Sequence, residues 1–144
     1  MIMVNGSVIS IMLVEDDEVD VMNLKRAFKK NNINNPLYLA ENGLDALEIL
    51  RKCGTDDMPM PKIILLDLNM PKMNGIEFLK ELRKDEKLHR LSVFVMTTSN
   101  KDNDIIEAYN LNVAGYILKP LSMDKFMSAV AALSNYWQLM EFPA

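Results

Sequence analysis

Lys62-Ile63-Ile64-Leu65-Leu66-Asp67 decides the fold, because it is an unbroken apolar run that ends in a carboxylate. A second apolar run, residues 7–14, ends in Glu15-Asp16-Asp17, and a third, residues 115–118, ends in Lys119-Pro120. Such runs are typical of parallel strands that are buried on both faces. Ligands of open α/β sheets bind beyond the carboxyl ends of the strands, so these acids and the lysine are expected to converge in a functional crevice.

Strand and helix patterns alternate along the whole chain, which predicts an α/β protein with (βα)5 order and a parallel sheet covered on both faces. The strands are predicted at residues 7–14, 37–40, 62–66, 93–96 and 115–118. Between and after them, apolar residues recur at helical spacing: Val21, Leu24 and Phe28; Leu44, Leu47 and Leu50; Ile76, Leu79 and Leu82; Ile105, Ala108 and Tyr109; Phe126, Val130, Leu133 and Trp137. Asn74-Gly75 is a turn signal, and residues 97–100 offer caps for the fourth helix.

The composition limits the class of protein. A chain of 144 residues with 49% hydrophobic and 25% charged residues matches one globular domain. Its net charge of -4 argues against a nucleic-acid partner. The single cysteine, Cys53, and the single histidine, His89, cannot form an internal disulfide or a set of zinc ligands. Cys53 is interpreted as a small residue at a helix end and His89 as a surface loop residue. We expect a cytoplasmic protein, because neither a signal peptide nor a membrane-spanning run is present.

Asp67 is the candidate nucleophile, because a carboxylate at the end of a central strand is exposed to ligand and held rigidly. Its alternative roles are a helix cap or a solvated acid. Glu15 and Asp16 would lie beside it, and three converging acids need a cation, for which Mg²⁺ fits best. Asp17, Glu18 and Asp20 are instead assigned to the first turn of the following helix, where acidic side chains are favourable.

Lys119, through its ammonium group, and Thr97, through its hydroxyl, are candidates for binding phosphoryl oxygens. Taken alone, Lys119 would be interpreted as a surface lysine after a strand. The argument for function is its neighbour Pro120, which could fix a cis bond and thereby the direction of the lysine.

Four motifs together resemble the response-regulator receiver domains of two-component signalling, over about residues 7–140. They are residues 13–17 (LVEDD), 65–75 (LLDLNMPKMNG), 95–99 (VMTTS) and 116–120 (YILKP), in the family's order and spacing. The resemblance implies a flavodoxin-like sheet with strand order 2-1-3-4-5. It also implies that residues 1–144 form a single receiver domain without an output domain.

The resemblance further implies a phosphoacceptor protein rather than an enzyme, with self-catalysed phosphoryl transfer and slow autodephosphorylation only. Asp67 would accept a phosphoryl group from a sensor histidine kinase, with Mg²⁺ held by Asp16, Asp67 and the Asn69 backbone carbonyl, and by Glu15 directly or through water. Thr97 and Lys119 would bind the phosphoryl oxygens. Thr97 and Tyr116 would switch the face formed by the fourth helix, fifth strand and fifth helix. The remaining family positions, Asn69, Thr98 and Ser99, would tune the lifetime of the phosphate.

The closest likeness within the family is to small stand-alone receivers that work with bacterial phytochrome-type kinases. The phosphorylated protein would then act by binding to another protein, by onward phosphotransfer or by homodimerisation. Trp137, Met140 and Phe142 are candidate interface anchors. A tail folded back on its own domain is the alternative. Two rival functions are a haloacid-dehalogenase-type phosphatase, which needs an Asp where Asn69 stands, and an interaction module that works without phosphorylation.

Overall fold

The computed structural model describes residues 1–4, 6–119 and 122–142. Within these residues, the strands are β1 (Met3–Val4), β2 (Ser7–Val8), β3 (Ile11–Val14), β4 (Leu37–Ala40), β5 (Ile63–Leu66), β6 (Ser92–Thr97) and β7 (Gly115–Leu118). The helices are α1 (Glu18–Lys30), α2 (Gly43–Lys52), α3 (Gly75–Lys84), α4 (Asp102–Asn110) and α5 (Met123–Leu139). None of these helices is long and apolar enough to cross a membrane.

The main sheet has five parallel strands in the spatial order β4-β3-β5-β6-β7. Counting only these parallel strands along the chain, the order is 2-1-3-4-5, which confirms the predicted (βα)5 fold. β5 lies at the centre and every residue in it is buried, as its continuous apolar sequence predicted.

Apolar side chains pack on both faces of the sheet. On one face, residues of α2, α3 and α4 pack against Met12 and Val14. On the other face, residues of α1 and α5 pack against Ile11 and Leu13. Successive side chains of β3 therefore point to opposite faces of the sheet, and both faces are covered.

The first predicted strand is wrong at its start, because residues 7–14 do not form one strand. β2 pairs antiparallel with β1, and the chain joins the main sheet only at Ile11. The side chain of Asn35 explains the break. It accepts a hydrogen bond from the Ile2 amide and donates to the carbonyls of Ile2 and Ile9, which holds the hairpin off the sheet.

Two local predictions for the helices are also wrong. Leu44 is 51% exposed, because the inward positions of α2 are Ala46, Leu47 and Leu50. Asn74-Gly75 is a helix start rather than a turn. The Asn74 side chain accepts from the Glu77 amide while the Glu77 carboxylate accepts from the Asn74 amide, so Asn74 begins α3 with a capping box.

The capping prediction for residues 97–100 is wrong as well. α4 begins after Lys101, which makes no side-chain capping bond. The hydroxyls of Thr97 and Ser99 bind acidic side chains instead, Asp67 and Asp104 respectively, so they do not reach the free amides of the helix.

The C-terminal segment folds back onto its own domain. Trp137 is fully buried and makes edge-to-face contacts with Phe28 and Phe94, and Met140 and Phe142 pack against the same cluster. Burying an aromatic side chain stabilises by roughly 4 to 6 kcal/mol, which favours the core over exposure. The interpretation of Trp137 as an exposed interface anchor is therefore wrong.

Candidate functional site

Three carboxylates converge at the carboxyl end of the sheet. Glu15, Asp16 and Asp67 each offer an oxygen, and these oxygens lie within 4.8 Å of one another. The register of the sheet brings them together, because Val14 pairs with Leu66 and the next residues, Glu15 and Asp67, leave their strands at the same level. The Asp67 amide still donates to the Val14 carbonyl over 3.0 Å, which ties the two strand ends.

The site is closed on one side and open on the other. Glu15 is 5% exposed and Asp67 is 8% exposed, whereas Asp16 is on the surface. Burial, together with a hydrogen bond to Asp67, raises the pKa of Glu15 to about 8 against the lowering effect of Lys119. A divalent cation would stabilise the charged form of Glu15, and the oxygen-only set around it suits a hard divalent ion.

Lys119 reaches the acids from the end of β7. Its Nζ donates to Glu15 Oε1 over 2.7 Å and to Asp20 Oδ2 over 2.8 Å, and its side chain is only 8% exposed. The Lys119 amide also donates to the Thr97 carbonyl over 2.7 Å. Burial alone would lower the pKa of Lys119, but the hydrogen bonds to Asp20 and Glu15 outweigh it and raise the pKa. Lys119 is thus a charged, positioned ammonium group.

Asp67 is held by donors from two neighbouring elements. Thr97, which is fully buried at the end of β6, donates its hydroxyl to Asp67 Oδ1 over 2.6 Å. The backbone amide of Asn69 donates to the same oxygen over 3.3 Å. The Asn69 side-chain amide bonds to the Thr98 hydroxyl over 3.3 Å, which links the loops after β5 and β6. Asp67 therefore acts neither as a helix cap nor as a freely solvated acid.

A second polar chain leads from this site toward α4. The Ser99 hydroxyl donates to Asp104 Oδ2, and the Tyr116 hydroxyl donates to the Ser99 carbonyl over 2.8 Å. Tyr116 is partly buried and ties β7 to the loop after β6. Any inward turn of this ring requires it to give up the bond to Ser99.

Two acidic residues have contacts that sequence reasoning missed. Asp20 was assigned to the first turn of α1, and Asp104 was not singled out. Asp17 does cap α1, through bonds to the amides of Val19 and Asp20. Asp20, however, stands four residues before the buried Leu24, on the inward side of the helix, and this spacing is the signal that could have found it. The question of a cis bond at Pro120 lies outside the described residues.

This set of groups has the chemistry to bind a phosphoryl group and a divalent cation. Carboxylate oxygens can hold the cation, while the Thr97 hydroxyl and the Lys119 ammonium can neutralise phosphoryl oxygens. The model of the response regulator receiver domain family matches residues 11–131. This chain belongs to that family. Its members are generally signalling proteins rather than enzymes.

Several relatives match nearly the whole chain. The probable methanogenesis regulatory protein FilR2 of Methanothrix harundinacea is 35% identical over 127 residues, which cover 88% of this chain and 82% of FilR2. The response regulator Rcp1 of Synechocystis is 34% identical over 128 residues, covering 88% of this chain and 87% of Rcp1.

Solved structures agree with this assignment. The phosphorylated cyanobacterial phytochrome response regulator RcpA matches with a TM-score of 0.86 at 31% identity, over 96% of this chain and 100% of that chain. The Mn(2+)-bound form of Rcp1 matches with a TM-score of 0.83 at 34% identity, over 94% of this chain and 99% of that chain. The receiver fold and the likeness to phytochrome response regulators are therefore established for this chain.

Proposed function

We propose that Asp67 accepts a phosphoryl group from a phosphohistidine of a sensor histidine kinase, in a reaction that depends on Mg²⁺. The observation that carries the proposal is the environment of the Asp67 carboxylate. It is buried, oriented by the Thr97 hydroxyl at 2.6 Å, and grouped with Glu15 and Asp16 within 4.8 Å. Such a carboxylate is a positioned nucleophile beside a site for a neutralising cation.

The metal site consists of Glu15, Asp16, Asp67 and the backbone carbonyl of Asn69. Bound Mg²⁺ supplies charge neutralisation between the acids and the incoming phosphoryl group. The oxygen-only set and the raised pKa of Glu15 fit a divalent cation. The relative Rcp1 has a Mn(2+)-bound form, which supports a divalent cation as the ligand of this chain.

Phosphoryl transfer forms one bond and breaks one bond. An oxygen of Asp67 attacks phosphorus, the phosphorus–nitrogen bond to the donor imidazole breaks, and the imidazole leaves with the electron pair and takes a proton. The product on this chain is an acyl phosphate. Lys119 and Thr97 then bind phosphoryl oxygens, which stabilises the charge that the transfer brings into the site.

The acyl phosphate changes the surface formed by α4, β7 and α5. Thr97 moves from Asp67 Oδ1 to a phosphoryl oxygen, and Tyr116 leaves the Ser99 carbonyl and turns inward. Asn69, Thr98 and Ser99 lie around the entrance for hydrolytic water and set the lifetime of the phosphate. The switch is therefore a local charge event with a distant packing effect.

The proposed function also indicates the partners of this protein. This chain acts in the cytoplasm, and its upstream partner is a sensor histidine kinase of the phytochrome type, which the likeness to RcpA supports. The chain acts as a single receiver domain over residues 1–144, and its output is a downstream protein, a further phosphotransfer protein or a homodimer. Neither nucleic acid nor a membrane takes part directly.

The competing function is a protein-interaction module of the same fold that works without phosphorylation. It predicts that Asp67 can be replaced without loss of partner binding. The phosphatase reading is disfavoured by Asn69, whose side chain is an amide bound to Thr98 and cannot act as the second acid.

The test is incubation with acetyl phosphate, with and without Mg²⁺, followed by intact mass measurement. We expect wild type to gain one phosphoryl group only with Mg²⁺. Asp67→Asn should gain none, while Asp56→Asn, which changes an exposed acid in the loop before β5, should behave as wild type. No gain in folded wild type with Mg²⁺ would favour the phosphorylation-independent module.

A further inference from the structure

Asp20 joins the site from α1, although it lies outside the group of three acids. Its Oδ2 is 2.8 Å from Lys119 Nζ, and its side chain is 31% exposed. It heads the inward stripe of the helix, four residues before Leu24, so its carboxylate points toward the end of the sheet.

Two of the three N–H donors of the Lys119 ammonium are bound to acids other than Asp67. Its Nζ donates to Glu15 and Asp20, while the Asp67 carboxylate receives its hydrogen bonds from Thr97 and the Asn69 amide. A phosphoryl group on Asp67 would therefore compete with Glu15 and Asp20 for the position of this ammonium.

The two partners of Lys119 differ in what a cation does to them. Glu15 belongs to the set of three carboxylates, so a bound divalent ion would neutralise it and weaken its hold on the lysine. Asp20 is not in that set and keeps its charge. It is also a further negative charge beside a phosphoryl group that brings in roughly -2. Asp20 thus remains the competitor when the phosphoryl group arrives.

We propose that Asp20 is a positioning residue that holds Lys119 in the unphosphorylated state and competes with the phosphoryl group on Asp67 for its ammonium. Asp20 thereby limits the stability of the phosphorylated form. This inference rests on the proposed function, since it assigns a regulator to the same Asp67 site.

Beryllofluoride, which binds a carboxylate as a tetrahedral stand-in for a phosphoryl group, is the probe. Its affinity is measured by calorimetry at saturating Mg²⁺, so that a change in metal affinity does not enter. Asp20→Asn should tighten binding by about threefold to tenfold, because it removes both the competing hydrogen bond and one negative charge.

Three further variants separate positioning from a general charge effect. Glu18→Gln removes an acid from the same helical turn and should change the affinity by less than about twofold, because it has no contact with Lys119. Asp20→Glu should retain wild-type affinity, and Asp20→Ser should repeat the effect of Asp20→Asn if the asparagine variant folds poorly. A purely structural role would lower thermal stability without tightening beryllofluoride.

A second measurement is the half-life of the Asp67 phosphate after the donor is removed. It should lengthen in Asp20→Asn by a similar factor. Unchanged or weaker beryllofluoride binding in Asp20→Asn, with wild type binding normally, would overturn the inference and leave the proposed function intact. If wild type neither binds beryllofluoride nor gains a phosphoryl group, the proposed function fails, and the inference fails with it.

Discussion

Thr97 contributes a single hydroxyl to the site, and its effect can be isolated by matched substitutions. Thr97→Val keeps the shape of the buried side chain and removes the donor to Asp67. We expect the rate of phosphoryl uptake from acetyl phosphate to fall by about tenfold or more, because one positioned donor near developing charge is lost. Thr97→Ser, which keeps the hydroxyl, should stay within about threefold of wild type. A time course of intact mass measures both, and a wild-type rate in Thr97→Val would contradict the role.

Cys53 gives a prediction for pH dependence. Burial raises the pKa of its thiol above the ordinary value of 9.0, against opposing effects of Tyr38 and Lys87. A raised pKa means that the folded protein binds this proton more tightly than the unfolded protein does. The resulting contribution to the free energy of unfolding is fully present below the pKa of the unfolded state, and it is lost as the pH rises through the pKa of the folded state.

Iodoacetamide labelling measures the effect on Cys53, because only the thiolate reacts. At pH 8, the folded protein should label at least about a hundredfold more slowly than the protein in urea, since reaction requires local opening. The control is Ser128→Cys in a Cys53→Ala background, which moves the single thiol to an exposed position on α5. Equal labelling rates for folded wild type and for this folded control would show that Cys53 is accessible.

The residues at the strand ends were predictable from sequence, and Asp20 was not. Parallel strands in register fix where Glu15 and Asp67 leave the sheet. An apolar run that ends in an acid therefore predicts that the acid lies at the carboxyl edge of the sheet. The bond between Asp20 and Lys119 joins residues that are 99 positions apart and depends on how α1 packs against the end of β7. The spacing of Asp20 and Leu24 indicates the inward side of α1, but no local pattern identifies Lys119 as the partner of Asp20.

The Asn35 side chain ties the β1–β2 hairpin to the domain, beside the core packing of Ile2 and Ile9. Asn35 is buried and makes three hydrogen bonds with the backbone of Ile2 and Ile9. Asn35→Ala should lower the free energy of unfolding by about 2 to 4 kcal/mol, because buried backbone groups lose their partners. Asn34→Ala, an exposed neighbour, is the control and should change it by less than about 0.5 kcal/mol.

Urea unfolding measures this difference, and hydrogen exchange at the Ile2 amide localises it. Asn35 precedes β4 and lies at the opposite end of the sheet from Asp67, so phosphoryl uptake should be unchanged. The hairpin itself was missed because residues 7–14 read as one continuous apolar run. A side chain that lies 26 positions after Ile9 decides where that run breaks.

The loop between β5 and α3 depends on a close approach at Gly75. A Cβ at this position would lie 2.6 Å from the Asp67 carbonyl oxygen and 2.7 Å from the Leu68 Cα, both in the backbone. Gly75→Ala should therefore lower the free energy of unfolding by about 1 to 3 kcal/mol. It should also slow phosphoryl uptake, because the backbone of Asp67 must shift.

Gly43 is the matched comparison, since it also begins a helix after an asparagine cap. Its added Cβ would lie 2.6 Å from the Met73 side chain, which can rotate away, and 3.0 Å from the Met73 carbonyl oxygen, a longer backbone contact than those at Gly75. Gly43→Ala should change the free energy of unfolding by less than about 1 kcal/mol. Equal losses in the two variants, measured by urea unfolding, would show that the backbone contact at Gly75 has no special weight.

For the molecule as a whole, the elements that flank the edge strand β7 leave apolar side chains exposed. They are Ile106 and Tyr109 on α4, Leu118 on β7, and Tyr136 and Leu139 on α5, of which Leu139 is 85% exposed. With Trp137 in the core, this surface replaces the predicted Trp137 anchor as the candidate for a homodimer interface. Exposed aromatic and aliphatic groups of this kind are candidates for the energetic centre of an interface.

We expect phosphorylation at Asp67 to strengthen self-association through this surface, because the proposed switch changes the position of Tyr116 on β7. Leu139→Asp should weaken the phosphorylated dimer by about tenfold or more, since it places a charge in a desolvated contact. Val19→Asp, which changes an equally apolar exposed residue on α1, should leave association unchanged. Sedimentation velocity at high concentration, with and without acetyl phosphate and Mg²⁺, measures all three proteins. A monomeric wild type in both states would exclude the homodimer and leave binding to another protein, or onward phosphotransfer, as the output, because the same surface would then be free for a different partner.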